Sequence, residues 1–159
     1  KEWYYIPIME LTTTADFIND NTWIAKKLGV SEAEVGVAVY HLKKAGFLKT
    51  INGRLKKTNR KMIFKTKNPK ALAQQYHRNM MAKSIDQFDK NDQRDFDRRT
   101  VLGYTLAVNP NVLESVMKKL KEDLITTASI ATTGECKDVY QLNLQFFPLT
   151  DNPQGIAVQ

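Results

Sequence analysis

A chain of 159 residues, 42% of them hydrophobic, is long enough for one compact domain or two small ones and can bury a core, which excludes a wholly disordered protein. Its formal net charge of +7 favours polyanionic partners such as nucleic acid or an acidic membrane surface and leaves the fold open. The single cysteine, Cys136, excludes an internal disulfide and points to a reducing compartment, hence the cytoplasm; no apolar run approaches the length that crosses a bilayer, and no signal-peptide pattern is present.

The chain opens on Lys1-Glu2-Trp3-Tyr4-Tyr5, a string that reads like the inside of a helix and leads us to expect an earlier domain before it. Trp3, Ile6, Met9 and Leu11 suit a first helix. Thr22 to Leu28 suits a second, with Trp23, Ile24 and Leu28 at helical spacing, and Gly29 ends it. Ser31 then caps a third helix, and Glu34 completes an S-x-x-E capping box. Val35, Ala38, Val39, Leu42 and Ala45 are expected on its inner side, and Gly46 ends it. Phe47 to Ile51 and Arg54 to Thr58 read as two strands around Asn52-Gly53, the strongest short hairpin signal.

Lys67-Asn68-Pro69 is the expected boundary, because proline restricts the residue before it and suits the first turn of a helix. A long helix is predicted from about Pro69 to Phe88. Thr100 to Val108 alternates in the manner of a strand. Asn109-Pro110 starts an amphipathic helix through about Ser129, 132 to 137 is a loop, and Val139 to Phe147 reads as a second strand that Pro148 ends. The expected fold is α+β, an N-terminal winged helix-turn-helix over 1–67 followed by a helix-strand-helix-strand module over 68–150, with a frayed tail over 151–159.

Between His41 and Lys70 the basic residues run without one Asp or Glu. In a winged helix the third helix can enter the major groove and the hairpin can lie along phosphates, where Lys and Arg release counterions. The candidate DNA-binding residues are therefore Tyr40, Lys43 and Lys44 on the third helix, with Lys49, Arg54, Lys56, Lys57, Arg60 and Lys61 on or after the wing. A solvated basic surface is the plain alternative for the run. Glu32 and Glu34 cut against DNA contact, since phosphate repels carboxylates; complementing the helix dipole is their other reading.

No catalytic group, metal site or cofactor is expected. Asp89, Asn91, Gln93, Asp95 and Asp97 alternate like a calcium loop, but Arg94 stands at the required glycine and Thr100 at the bidentate Glu. His41, His77 and Cys136 have no metal spacing, and no motif makes Cys136 a nucleophile. The row Gln141, Asn143, Gln145 can line a ligand pocket or form the wet face of a half-covered sheet. Two strands alone are marginal, so the second half is expected to pair with another copy as a homodimer, unless a helix of the same chain covers it.

Val139-Tyr140-Gln141-Leu142-Asn143-Leu144-Gln145-Phe146-Phe147-Pro148-Leu149-Thr150 resembles the C-terminal signature of a known family. Thr105 to Val108 with the Pro110 helix, Trp23 to Gly29 with Ala45 to Leu48, and Ala73 to Arg78 resemble its other parts. The family is the Fibrobacter-type conserved domain of unknown function found in predicted bacterial transcription regulators, and the resemblance covers nearly the whole chain. It implies a regulator, commonly preceded by a repressor-like helix-turn-helix, leaves the mechanism open and carries over no catalytic residues. The leading expectation is a regulator binding double-stranded DNA; the alternative is a dimerisation module, or one sensing a small molecule or protein, in a regulator whose DNA reader lies upstream.

Overall fold

The computed structural model describes residues 3–59, 69–89 and 96–150. It is a mixed α and β structure: α1 (Tyr5–Leu11), α2 (Asn21–Leu28), α3 (Glu32–Lys44), a hairpin of β1 (Leu48–Ile51) and β2 (Arg54–Lys57), then α4 (Pro69–Phe88), a 3-10 turn (Pro110–Val112) and α5 (Leu113–Ala131). The boundary expected at 67–68, the calcium-like positions 91–95 and the tail after 150 lie outside the described residues. No described helix is long and apolar enough to cross a membrane. The chain divides into two compact units, Lys1–Leu102 with Thr132–Gln141, and Gly103–Ala131 with Leu142–Gln159.

Local chemistry sets the helix ends of the first unit. Asp20 caps α2, its carboxylate accepting from the Trp23 N–H at 2.8 Å, and Gly29 closes it at φ +67. Ser31 Oγ accepts from the Glu34 N–H while the Glu34 carboxylate accepts from the Ser31 N–H at 2.8 Å, so the capping box on α3 is complete. At the other end, the Phe47 N–H reaches the Leu42 carbonyl and the Gly46 N–H reaches Lys43, a Schellman closure that Gly46 permits with φ +75. At the end of α1, the Thr12, Thr13 and Thr14 hydroxyls donate to the carbonyls of Met9, Glu10 and Leu11. Orphan carbonyls at a helix end are thereby satisfied without a glycine.

The core lies under α3, which packs against α1, α2 and β1. Ile8, Ile24, Val35 and Leu48 are fully buried, joined by Tyr4, Leu11, Phe17, Ala38, Leu42 and Leu55. Removing area of this kind from water is the main favourable term in folding. Ala45, expected inward, is exposed, because α3 stops at Lys44 and Ala45 is already its cap. Farther along, Met80 is buried, and the Lys83 ammonium sits 4.5 Å from the Trp3 ring centroid.

The two strands expected in the second half are not formed. The β1–β2 hairpin is the only sheet among the described residues, and neither Thr100–Val108 nor Val139–Phe147 enters a ladder. Alternation says which side chains share a face; it does not provide the partner backbone that a strand requires. The stretch read as one strand is divided at Gln141, with Val139 packed against the core of the first unit. Leu102 stays 89% exposed and Tyr104 87%. In the second unit, Asn109 Oδ1 accepts from the Asn111 N–H and opens the turn into α5, on which Val116, Leu120 and Leu124 are half-buried along one side.

The hairpin turn places Asn52 at φ +50 and Gly53 at φ +74, the pair of positive angles that a type I′ turn demands. A Cβ at Gly53 would meet nothing within 4 Å, so a substitution there acts through the backbone alone. Gly53→Val should destabilise the hairpin by about 1–2 kcal/mol. Amide exchange should rise across β1 and β2 and stay unchanged in α3; equal exchange in both proteins would contradict the turn assignment.

Candidate nucleic-acid interface

The register of the hairpin decides which of its cations face out. Leu48 lies opposite Lys57, Lys49 opposite Lys56, Thr50 opposite Leu55 and Ile51 opposite Arg54. Because side chains alternate, burial of Leu48 and Leu55 turns Lys49 and Lys56 to the other face as a directly opposed pair. Like charges so placed repel, and no carboxylate pairs with either among the described residues.

The remaining basic residues divide differently. Lys57 pairs with Glu10 of α1. Arg54 donates from Nη2 to the Phe17 carbonyl at 3.1 Å, and its guanidinium lies 5.5 Å from the Phe17 ring centroid. Both hold the hairpin to the helices. Arg60 and Lys61 lie outside the described residues. On α3, Tyr40, Lys43 and Lys44 are exposed, with the Lys44 ammonium 5.9 Å from the Tyr40 ring centroid. Gly36, Val39, Tyr40, Lys43 and Lys44 line an open depression of about 430 Å³.

The carboxylates at the acidic start of α3 are hydrogen-bonded within the chain. Glu34 is spent on Ser31, whose hydroxyl and N–H both donate to its carboxylate. Those side-chain and backbone bonds hold the Glu34 carboxyl below the usual glutamate range. Glu32 accepts from the Thr22 hydroxyl at 3.1 Å. His41 is hydrogen-bonded through Nδ1 to the Tyr5 hydroxyl at 2.9 Å.

Sequence reasoning missed the groups that position the hairpin. Asn19 uses both ends of its amide. Its oxygen accepts from the Leu55 N–H at 3.2 Å, and its nitrogen donates to the Gly53 carbonyl at 2.8 Å. Thr12 Oγ1 accepts from the Lys57 N–H at 3.1 Å. The Asn19-Asp20-Asn21 run signals a turn and a cap, but nothing in it points to residues more than thirty positions away. Elsewhere in the first unit, Gln141 accepts from the Tyr76 hydroxyl at 3.1 Å, and burial pushes the Tyr76 phenol up. No group of three His, Cys, Asp or Glu side chains converges among the described residues.

Asn19→Ala deletes both bonds to the hairpin and should cost about 1–2 kcal/mol. Exchange should quicken at the Leu55 amide first, with the α2 and α3 amides unaffected. An unchanged rate at Leu55 would show that Asn19 does not hold the hairpin.

No curated protein and no solved structure matches the chain. Residues 1–149 match the family described as Domain of unknown function (DUF4423). That match spans the helical core, the hairpin, α4 and α5 alike, and the chain belongs to this family.

Proposed function

We propose that α1, α2, α3 and the hairpin act as a winged helix-turn-helix that holds double-stranded DNA, and that the protein is a non-enzymatic transcription regulator. In this reading α3 lies in the major groove and the hairpin runs along phosphates. The observation that carries it is the outward pair Lys49 and Lys56, opposed across the hairpin with no carboxylate beside them among the described residues. A polyanion relieves their repulsion, and α3 adds the exposed cations Lys43 and Lys44. Lys57 and Arg54 hold the wing in place and contribute less to the ligand.

The test is duplex binding against salt. Replacing Lys49 and Lys56 by Ala together should flatten the log–log slope by about two units, one for each phosphate that the wing no longer neutralises. Lys57→Ala should change it less, since Glu10 already neutralises that ammonium. A double variant with the slope and affinity of the parent protein would refute the reading.

The second unit supports a further part of the proposal, a homodimer. Its residues Tyr104, Leu144 and Phe147 are exposed, Phe147 to 67%. Exposed apolar surface on this scale favours association, and two weak half-site contacts act together on a two-fold axis. A protein or small-molecule effector at the same surface is the rival. Sedimentation equilibrium should give twice the chain mass, and Phe147→Asp should return it to monomer without unfolding the first unit. Monomer mass at all concentrations would rule the dimer out.

A further inference from the structure

We propose that α3 reads duplex DNA through thymine methyl groups, with Val37 and Tyr40 as the residues that set specificity; this rests on the winged-helix reading above. The argument starts from what α3 lacks. Its 13 residues, Glu32 to Lys44, include no Arg, Asn or Gln. Those are the side chains that make bidentate bonds to guanine or adenine edges, apart from lysine on guanine. Of the charged and imidazole groups that α3 does carry, Glu34 is held by Ser31, Glu32 by Thr22 and His41 by Tyr5. Only Lys43 and Lys44 remain, at the C-terminal end.

What α3 presents instead is apolar. Ala33, Val37 and Tyr40 are exposed at i, i+4 and i+7, which places them in one row on the helix. Val37 is 53% exposed and Tyr40 61%, although Val35, Ala38 and Leu42 already fill the inner side. Lone exposed apolar residues are ordinary. Here the row ends at Tyr40 beside the Lys44 ammonium, 5.9 Å from its ring centroid, with Lys43 next to it, so apolar surface adjoins cations on the same helix. The major groove offers the complement, since the C5-methyl of thymine is the one apolar group displayed there between two lines of phosphate. The cations fix the helix in the groove without reading it, and the row distinguishes T·A from C·G by contact with the methyl.

The experiment uses the full chain. Duplexes are selected from a random pool, and each thymine of the selected sequence is then replaced in turn by deoxyuridine, which removes the methyl and keeps the base pair. Binding should fall about fourfold at one or two positions, the value of burying a single carbon, with the salt slope unchanged. Val37→Ala should abolish the methyl sensitivity at one of them while binding to the uracil duplex stays within twofold. Because Val37 is exposed and alanine favours helix, this variant keeps the fold. Tyr40→Ala is the second variant, expected to act at a neighbouring position.

If the chain binds duplex with a salt-dependent slope but uracil substitution changes nothing, or if no thymine is selected, the methyl reading is overturned and the winged-helix reading stands. If no duplex binds at any salt, both fall. If Val37→Asp changes the sedimenting mass of the free protein, the row is a contact between copies of the chain, which also overturns the proposal.

Discussion

The placement of the hairpin depends on the grip of the connector that precedes α2. Two strands of four residues are marginal in water. Asn19 substitutes for a third strand, giving one acceptor to β2 and one donor to the turn before it, and Thr12 adds another acceptor at Lys57. With Leu48 and Leu55 buried beneath, the register and facing of every hairpin residue are set. The position of Lys49 and Lys56 follows from those few contacts. A one-residue slip would bury both ammonium groups and expose both leucines.

Charge is also narrower in the structure than along the chain. A long stretch free of carboxylates suggests one broad basic surface, but folding brings acids in from elsewhere. Glu10 of α1 neutralises Lys57. Surface pairs of this kind contribute little to stability. With Lys57 paired and Arg54 held by Phe17, Lys43, Lys44, Lys49, Lys56 and Lys70 are the cations available to a ligand among the described part of that stretch. Glu32 and Glu34 are held by Thr22 and Ser31 but keep their charge, so the N-terminal end of α3 stays acidic while its cations lie at the other end.

What the sequence made legible was local. The Ser31 capping box, Gly29, Gly46 and the Asn52-Gly53 turn each depend on a few neighbouring residues, and each is found where the pattern puts it. The helix over Pro69–Phe88 also matches. What remained hidden was non-local. Nothing near Asn19 signals that its amide faces Leu55, and nothing near Lys57 signals Glu10. The strands expected at 100–108 and 139–147 failed for the same reason. Period-2 alternation is a property of one segment, whereas a ladder is a property of two. The division at Gln141 shows the consequence, since one apparent strand is shared between two units.

That division makes the chain pass between the units at 102–103, 131–132 and 141–142. The returning segment completes the first unit: Val139 packs on its core, and the Cys136 carbonyl accepts the Ala15 N–H at 2.8 Å. Ala15 lies in the connector that also carries Asn19. The two units therefore alternate along the chain rather than following one another in sequence, and a crossover between genes near position 67 would leave behind part of what completes the first unit. Recombination can exchange such a protein as one cassette spanning both units, but a chimaera joined at the midpoint would inherit an unpaired amide beside the loop that aims the hairpin.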